Sequence, residues 1–229
     1  MTTTEAPLVT GATHHGEPAH PVGHSPYRNA RAVPRWWRDA SVALFWGVLL
    51  WVTALWVSGG GVQDLTSLSG ALTSTGRVTG LVASALLLVQ VFLMARVPWF
   101  EQAWGQDELA RTHRLIGFTS FNLLWAHIVL ITLGYAAASP QGLWATIVDF
   151  VVNYPGMLLA VAGTVALCLV VVTSVRRARR RLRYESWHLI HLYGYLGAGL
   201  ALPHQLWTGQ EFLASRTTTV TWWLSLIHI

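Results

Sequence analysis

The sequence contains no lysine, a single cysteine and only ten acidic residues. Each shortage excludes something. One cysteine, Cys168, cannot close an internal disulfide and cannot alone hold an iron–sulfur cluster; it lies inside an apolar run, where packing is its expected role. Charged residues make up 11% of the chain, against about a quarter in soluble domains. With 53% hydrophobic residues and 13 tryptophans, that deficit points to an all-α integral membrane protein. The basic residues, all arginine, sit between apolar runs and build no soluble basic domain, so the net charge of +5 does not indicate a nucleic-acid partner. No G-x-G-x-x-G follows a strand pattern, and Gly59–Gly61 fall in a loop, so these residues offer no dinucleotide-binding motif.

The first 33 residues are polar, punctuated by proline and glycine, and lack the apolar core of a secretory signal. A disordered cytoplasmic tail is expected. Its histidines, His14, His15, His20 and His24, have no spacing that closes a metal site. Arg35-Trp36-Trp37-Arg38 has the composition of an interfacial anchor, with indoles at headgroup depth. Residues 1–40 are therefore read as tail and anchor, and residues 41–229 as a membrane domain.

Apolar runs predict helices over about 41–58, 78–97, 113–136, 154–174 and 187–207, with the start of a sixth at 217–229. Runs near twenty residues match a hydrocarbon core about 30 Å thick. Arginine sets the orientation. Arg28, Arg31, Arg35 and Arg38, then Arg96, Arg111 and Arg114, then the six arginines of RRARRRLR at 176–183 fall on one side. Only Arg77 and Arg216 fall on the other. The positive-inside rule then places the N-terminus in the cytoplasm and makes the third and fifth runs parallel, both leading outward.

Those two runs carry the histidines. His113 and His127 are fourteen residues apart, which returns them to within about 40° of one helix face and separates them by ~21 Å. His191 and His204 are thirteen apart, or ~19.5 Å. In parallel helices His113 comes level with His191, and His127 with His204. Each level then offers two imidazoles across a bundle, an arrangement suited to gripping a haem iron from both sides. A straight helix would rotate His204 about 140° from His191, so a kink or π-bulge near Pro203 and Gly194, Gly197 and Gly199 is expected. His188, one turn before His191, is the other candidate on the fifth run. Arg111 and Arg114 flank the inner level as candidate propionate partners, and Trp125, Trp187, Tyr193 and Tyr195 as candidate walls. Gln90, Asn122 and Asn153 are expected to hydrogen-bond between helices.

H-x13-H on the third run, a basic loop, and then YE-x-W-H-x-x-H…P-H on the fifth resemble the ferric reductase-like transmembrane domain of bacterial and fungal ferric reductases and NADPH oxidases. The resemblance spans about residues 41–229. It implies a six-helix bundle in the plasma (inner) membrane with two haem b, carried onto His113 with His191 and His127 with His204. It also implies that cytoplasmic NAD(P)H feeds electrons through FAD, in a half that normally follows the sixth helix, to an external acceptor such as ferric iron or oxygen. The closing residues LSLIHI resemble a translated sequencing adapter, so a truncated sixth helix and a foreign His228 are expected. Two other readings remain open. One is a stand-alone haem subunit of the methionine sulfoxide repair type, fed by quinol or a separate flavoprotein. The other is a non-enzymatic proton channel or transporter, which would need more polar residues along the same helix faces.

Overall fold

The computed structural model describes residues 34, 36–209 and 220, all within one unit, Val33–Ile229. The tail histidines, Arg35, Arg216, His228 and, apart from Val220, the sixth apolar run lie outside the described residues. The described residues are helical without a strand: α1 Trp36–Ser58, a short 3-10 helix Gln63–Thr66, α2 Leu68–Met94, α3 Pro98–Trp104, α4 Gln106–Ala138, α5 Gly142–Asn153, α6 Met157–Ser174, α7 Arg176–Arg179 and α8 Tyr184–Thr208. The five predicted runs correspond to α1, α2, α4, α6 and α8. Of these, α1, α2, α4 and α6 are long and apolar enough to cross a membrane. With 25 residues α8 is as long, but its histidines, glycines and Gln205 dilute its apolar character. Leucines, valines and aromatics point outward along these helices, as on Leu44, Leu50, Phe118, Val165 and Val172, which is how a lipid-facing bundle differs from a soluble one.

Several boundaries differ from the hydropathy reading. α2 starts ten residues early, at Leu68, because its polar first turns are satisfied internally. Ser67 caps the helix by accepting from the Gly70 N–H at 3.1 Å. Ser74, fully buried, donates to the Gly61 carbonyl and accepts from Trp56 Nε1 at 3.0 Å. Arg77, 9% exposed, pairs with Asp64 at 2.7 Å and donates to the Gly59 carbonyl at 3.2 Å. Arg77 is therefore a buried residue of α2 and not, as expected, a loop cation. The Ser/Thr/Gly composition of this stretch resembles a loop because those side chains favour caps and turns in isolation.

The predicted loop EQAWGQDELART is likewise most of α3 and the first two turns of α4, parted by Gly105 at φ +79°. Pro98 starts α3 at its first turn, and Asp107 and Glu108 suit the positive end of α4. α5 was not expected. Its buried Thr146 and Phe150 are four apart on one face, and Phe150 meets Tyr135 of α4 edge-on at 5.0 Å. Asn122 and Asn153 bond within their own helices, to the Phe118 carbonyl and to Asp149, and not between helices as expected.

The closest helix pairs are α2 with α4 and α6 with α8. Small residues let them approach. A Cβ on Gly134 would stand 2.8 Å from the Thr73 nitrogen; one on Gly163 would stand 2.7 Å from the Gly197 oxygen, and the reverse contact would be 2.9 Å. Leucines 81, 86 and 93 of α2 build the apolar core with Val52 of α1 and Leu109 and Ile116 of α4. Leu206 of α8 packs on the Val52–Leu81–Ala85 cluster, tying the second helix pair to the first.

Candidate functional site

α4 and α8 are not packed along each other, but their histidines approach one another. The rings of His113 and His191 stand 6.0 Å apart, centre to centre, tilted by 59°. Two imidazoles trans on one metal, each nitrogen about 2 Å from it, place their ring centres about 6 Å apart. The pair therefore has the spacing that one iron between them requires. His127 and His204 form the second level, close enough to act on each other electrostatically.

The partners of Nδ1 decide which nitrogen each ring offers. His113 Nδ1 lies 3.2 Å from the Gln90 carbonyl and His127 Nδ1 lies 2.7 Å from the Gly76 carbonyl. A carbonyl only accepts, so both rings carry their proton on Nδ1 and leave Nε2 as a lone pair. His204 Nδ1 lies 2.9 Å from Thr208 Oγ1. That hydroxyl already donates to the His204 carbonyl at 2.6 Å, so it too accepts from the ring. His191 Nδ1 meets Ser174 Oγ at 3.2 Å. All four imidazoles thus have Nδ1 held from behind, the second-sphere arrangement typical of metal-ligating histidine.

Helix–helix contact builds the seats. Gly76 and Gly80 of α2 are one turn apart, and a Cβ on Gly80 would lie 2.5 Å from His127 Nδ1, so only glycine leaves room for the ring. Gly156, at φ +77° before α6, lets the backbone of α8 approach: a Cβ there would stand 2.8 Å from the His204 backbone nitrogen. The expected π-bulge is absent; α8 runs as α-helix through Pro203. The two imidazoles of α8 are instead held in different directions, His191 by Ser174 on α6 and His204 by Thr208 one turn along its own helix. Proline still removes the donor to the Gly199 carbonyl.

The remaining sequence candidates separate. His188 is exposed and stacks on Tyr184 at 6.0 Å, away from His113. Arg111 and Arg114 are exposed in the N-terminal turns of α4, with Arg111 bonded to Glu108 at 3.2 Å. Trp125, Tyr193 and Tyr195 are exposed. Trp187 is not: its ring lies 4.9 Å from His191, and its Nε1 is buried with no partner among the described residues. An unmet buried donor costs about 1–3 kcal/mol. No group of three or more His, Cys, Asp or Glu comes together among the described residues. Two imidazoles are too few to hold a bare zinc ion, which takes four ligands, but they complete an iron whose other four positions a porphyrin fills. The donor set therefore fits haem.

Sequence reasoning expected Gln90 to bond between helices but not its carbonyl as the partner of His113, and it missed the partners Gly76, Ser174 and Thr208, the seat Gly80 and the close backbone approach at Gly156. The small-xxx-small spacing of Gly76 and Gly80 was the one available signal.

Fold and site together define a multi-pass α-helical membrane protein with paired imidazoles at two levels. The family model described as "Ferric reductase like transmembrane component" matches residues 79–202, and the chain belongs to that family. The match includes His113, His127 and His191 and ends two residues before His204. The chain is also similar to the protein-methionine-sulfoxide reductase heme-binding subunit MsrQ of Cronobacter sakazakii (strain ATCC BAA-894), 30% identical over 133 residues. That match covers 57% of this chain and 61% of the relative. No solved structure matches the chain.

Proposed function

We propose that this chain conducts electrons across the plasma (inner) membrane through two haem b, one held by His113 and His191 and the other by His127 and His204. The observation that carries the reading is the 6.0 Å spacing of the inner rings, with Nδ1 of every ring engaged from behind. Bound haem supplies one-electron iron redox chemistry. The chain's residues supply the rest: four neutral imidazoles aimed by fixed partners, two depths about 21 Å apart along α4, and a low-polarity surround that tunes potential. The N-terminus is cytoplasmic, so the His113/His191 level faces the electron donor and Arg111 and Arg114 add positive charge there. The donor is a reduced flavin served by NAD(P)H, in a dehydrogenase domain or separate protein. The external acceptor is ferric iron or oxygen.

The likeness to a haem-binding subunit of a methionine sulfoxide reductase favours a second reading, in which quinol or a separate flavoprotein feeds the haems. Membrane vesicles separate the two: rapid haem reduction by NAD(P)H with a flavin reductase supports the first, and reduction by quinol alone supports the second.

The primary test is the dithionite-reduced spectrum of the purified chain. The expected result is b-type bands and two haems per chain by pyridine haemochrome. His127→Ala or His204→Ala should remove the outer haem, and His113→Ala or His191→Ala the inner one. A chain without b-type bands would return the reading to a proton channel. If His188→Ala costs a haem and His191→Ala does not, the ligand on α8 is misassigned.

A further inference from the structure

Trp187 carries a donor that the described residues leave unanswered. Its Nε1 is buried and without a partner among the described residues, although indole N–H can only donate and normally finds an acceptor when buried. A group bound beside it could supply the acceptor. Two observations say what kind. The indole lies 4.9 Å from the His191 ring, so its edge is at the inner level of the site. The guanidinium of Arg179 sits 4.2 Å over the same indole and is close enough to His191 to act on it electrostatically. A donor and a cation together select an anion with a planar acceptor, and haem b carries two carboxylates at one edge.

We propose that Trp187 and Arg179 form the anchor for a carboxylate of the inner haem, Trp187 through Nε1–H and Arg179 as counter-ion. This rests on His113 and His191 holding that haem. Both residues are positioning residues: they set the orientation of the macrocycle and stabilise its reduced state by neutralising a carboxylate. α7 then has a purpose beyond topology, since it carries Arg179 from the basic loop onto the indole.

The test is a potentiometric titration of both haems in the purified full-length chain, following haem counting. If the wild-type chain holds no inner haem, ligation by His113 and His191 fails and the anchor falls with it. If it does, Trp187→Phe keeps the ring against His191 and deletes only the donor. The expected result is full haem content, an unchanged outer midpoint, and an inner midpoint lowered by about a tenfold shift in the reduction equilibrium, about 59 mV for one electron. Arg179→Gln, an exposed side chain whose loss does not endanger folding, should lower it in the same direction. An independent readout is uptake of haem and of its dimethyl ester by the apo chain. Wild type should prefer haem at the inner site, and the preference should fall at least about tenfold in Arg179→Gln and in Trp187→Phe. Inner midpoints and haem-over-ester preferences equal to wild type in both variants would overturn the proposal.

Discussion

At the scale of single residues, the chemistry of this protein is decided behind the imidazoles as much as by them. Gly80 is the clearest case. Alanine there drives a methyl group into the His127 ring, so Gly80→Ala should lose the outer haem while keeping the inner one, leaving one haem per chain by pyridine haemochrome. Ser174→Ala removes the side chain that meets His191 Nδ1 and frees that ring to turn. Loss of such a partner weakens metal binding typically about 10–100-fold, and a haem-transfer assay should show it at the inner site alone. The four histidines themselves are candidates that spacing alone suggests. Their partners are not, because a carbonyl such as that of Gln90 or Gly76 belongs to every residue type and is selected only by where the helix puts it.

At the scale of elements, glycine pairs and a polar clasp hold the helices at working distance. α6 and α8 touch backbone to backbone at Gly163 and Gly197, so Gly163→Leu should force them apart. Overpacking of a tight contact costs about 1–3 kcal/mol, visible as a lower unfolding temperature in detergent. His191 would also move away from Ser174, so the inner haem should be lost at lower temperature than the outer. Arg77→Ala breaks the clasp near the N-terminal end of α2. Removing one partner of a fully buried pair costs about 3–5 kcal/mol, but Asp64 is half exposed and rehydrates, so a loss on the order of 1–2 kcal/mol is expected. The aromatic anchor works at the other end: Trp37 lies 4.7 Å from Trp99, and Arg38 covers Trp104 at 4.6 Å. Element existence was readable from hydropathy, but the early starts of α2 and α4 and the whole of α5 were not. Their polar residues find partners inside the fold, and hydropathy averages those partners away.

At the scale of the whole molecule, the arginines and the long helices imply one orientation. In a Cys168→Ser background, Gln63→Cys and Gln141→Cys should react with an impermeant maleimide on intact cells. Gln106→Cys should react only in inside-out vesicles. The reverse pattern would put the His113/His191 level on the outer face and undo the proposed direction of electron flow. The sequence by itself pointed to five long apolar runs, the orientation they imply and the four candidate histidines, because hydropathy, charge and helical spacing are properties of local composition. Only the tertiary structure decided that the inner rings stand 6.0 Å apart, that each of the four Nδ1 atoms has a partner, that Arg77 is buried and that the Trp187 N–H has none among the described residues. Those facts depend on backbone atoms and side chains brought together from distant parts of the chain, and no local pattern encodes which of them meet.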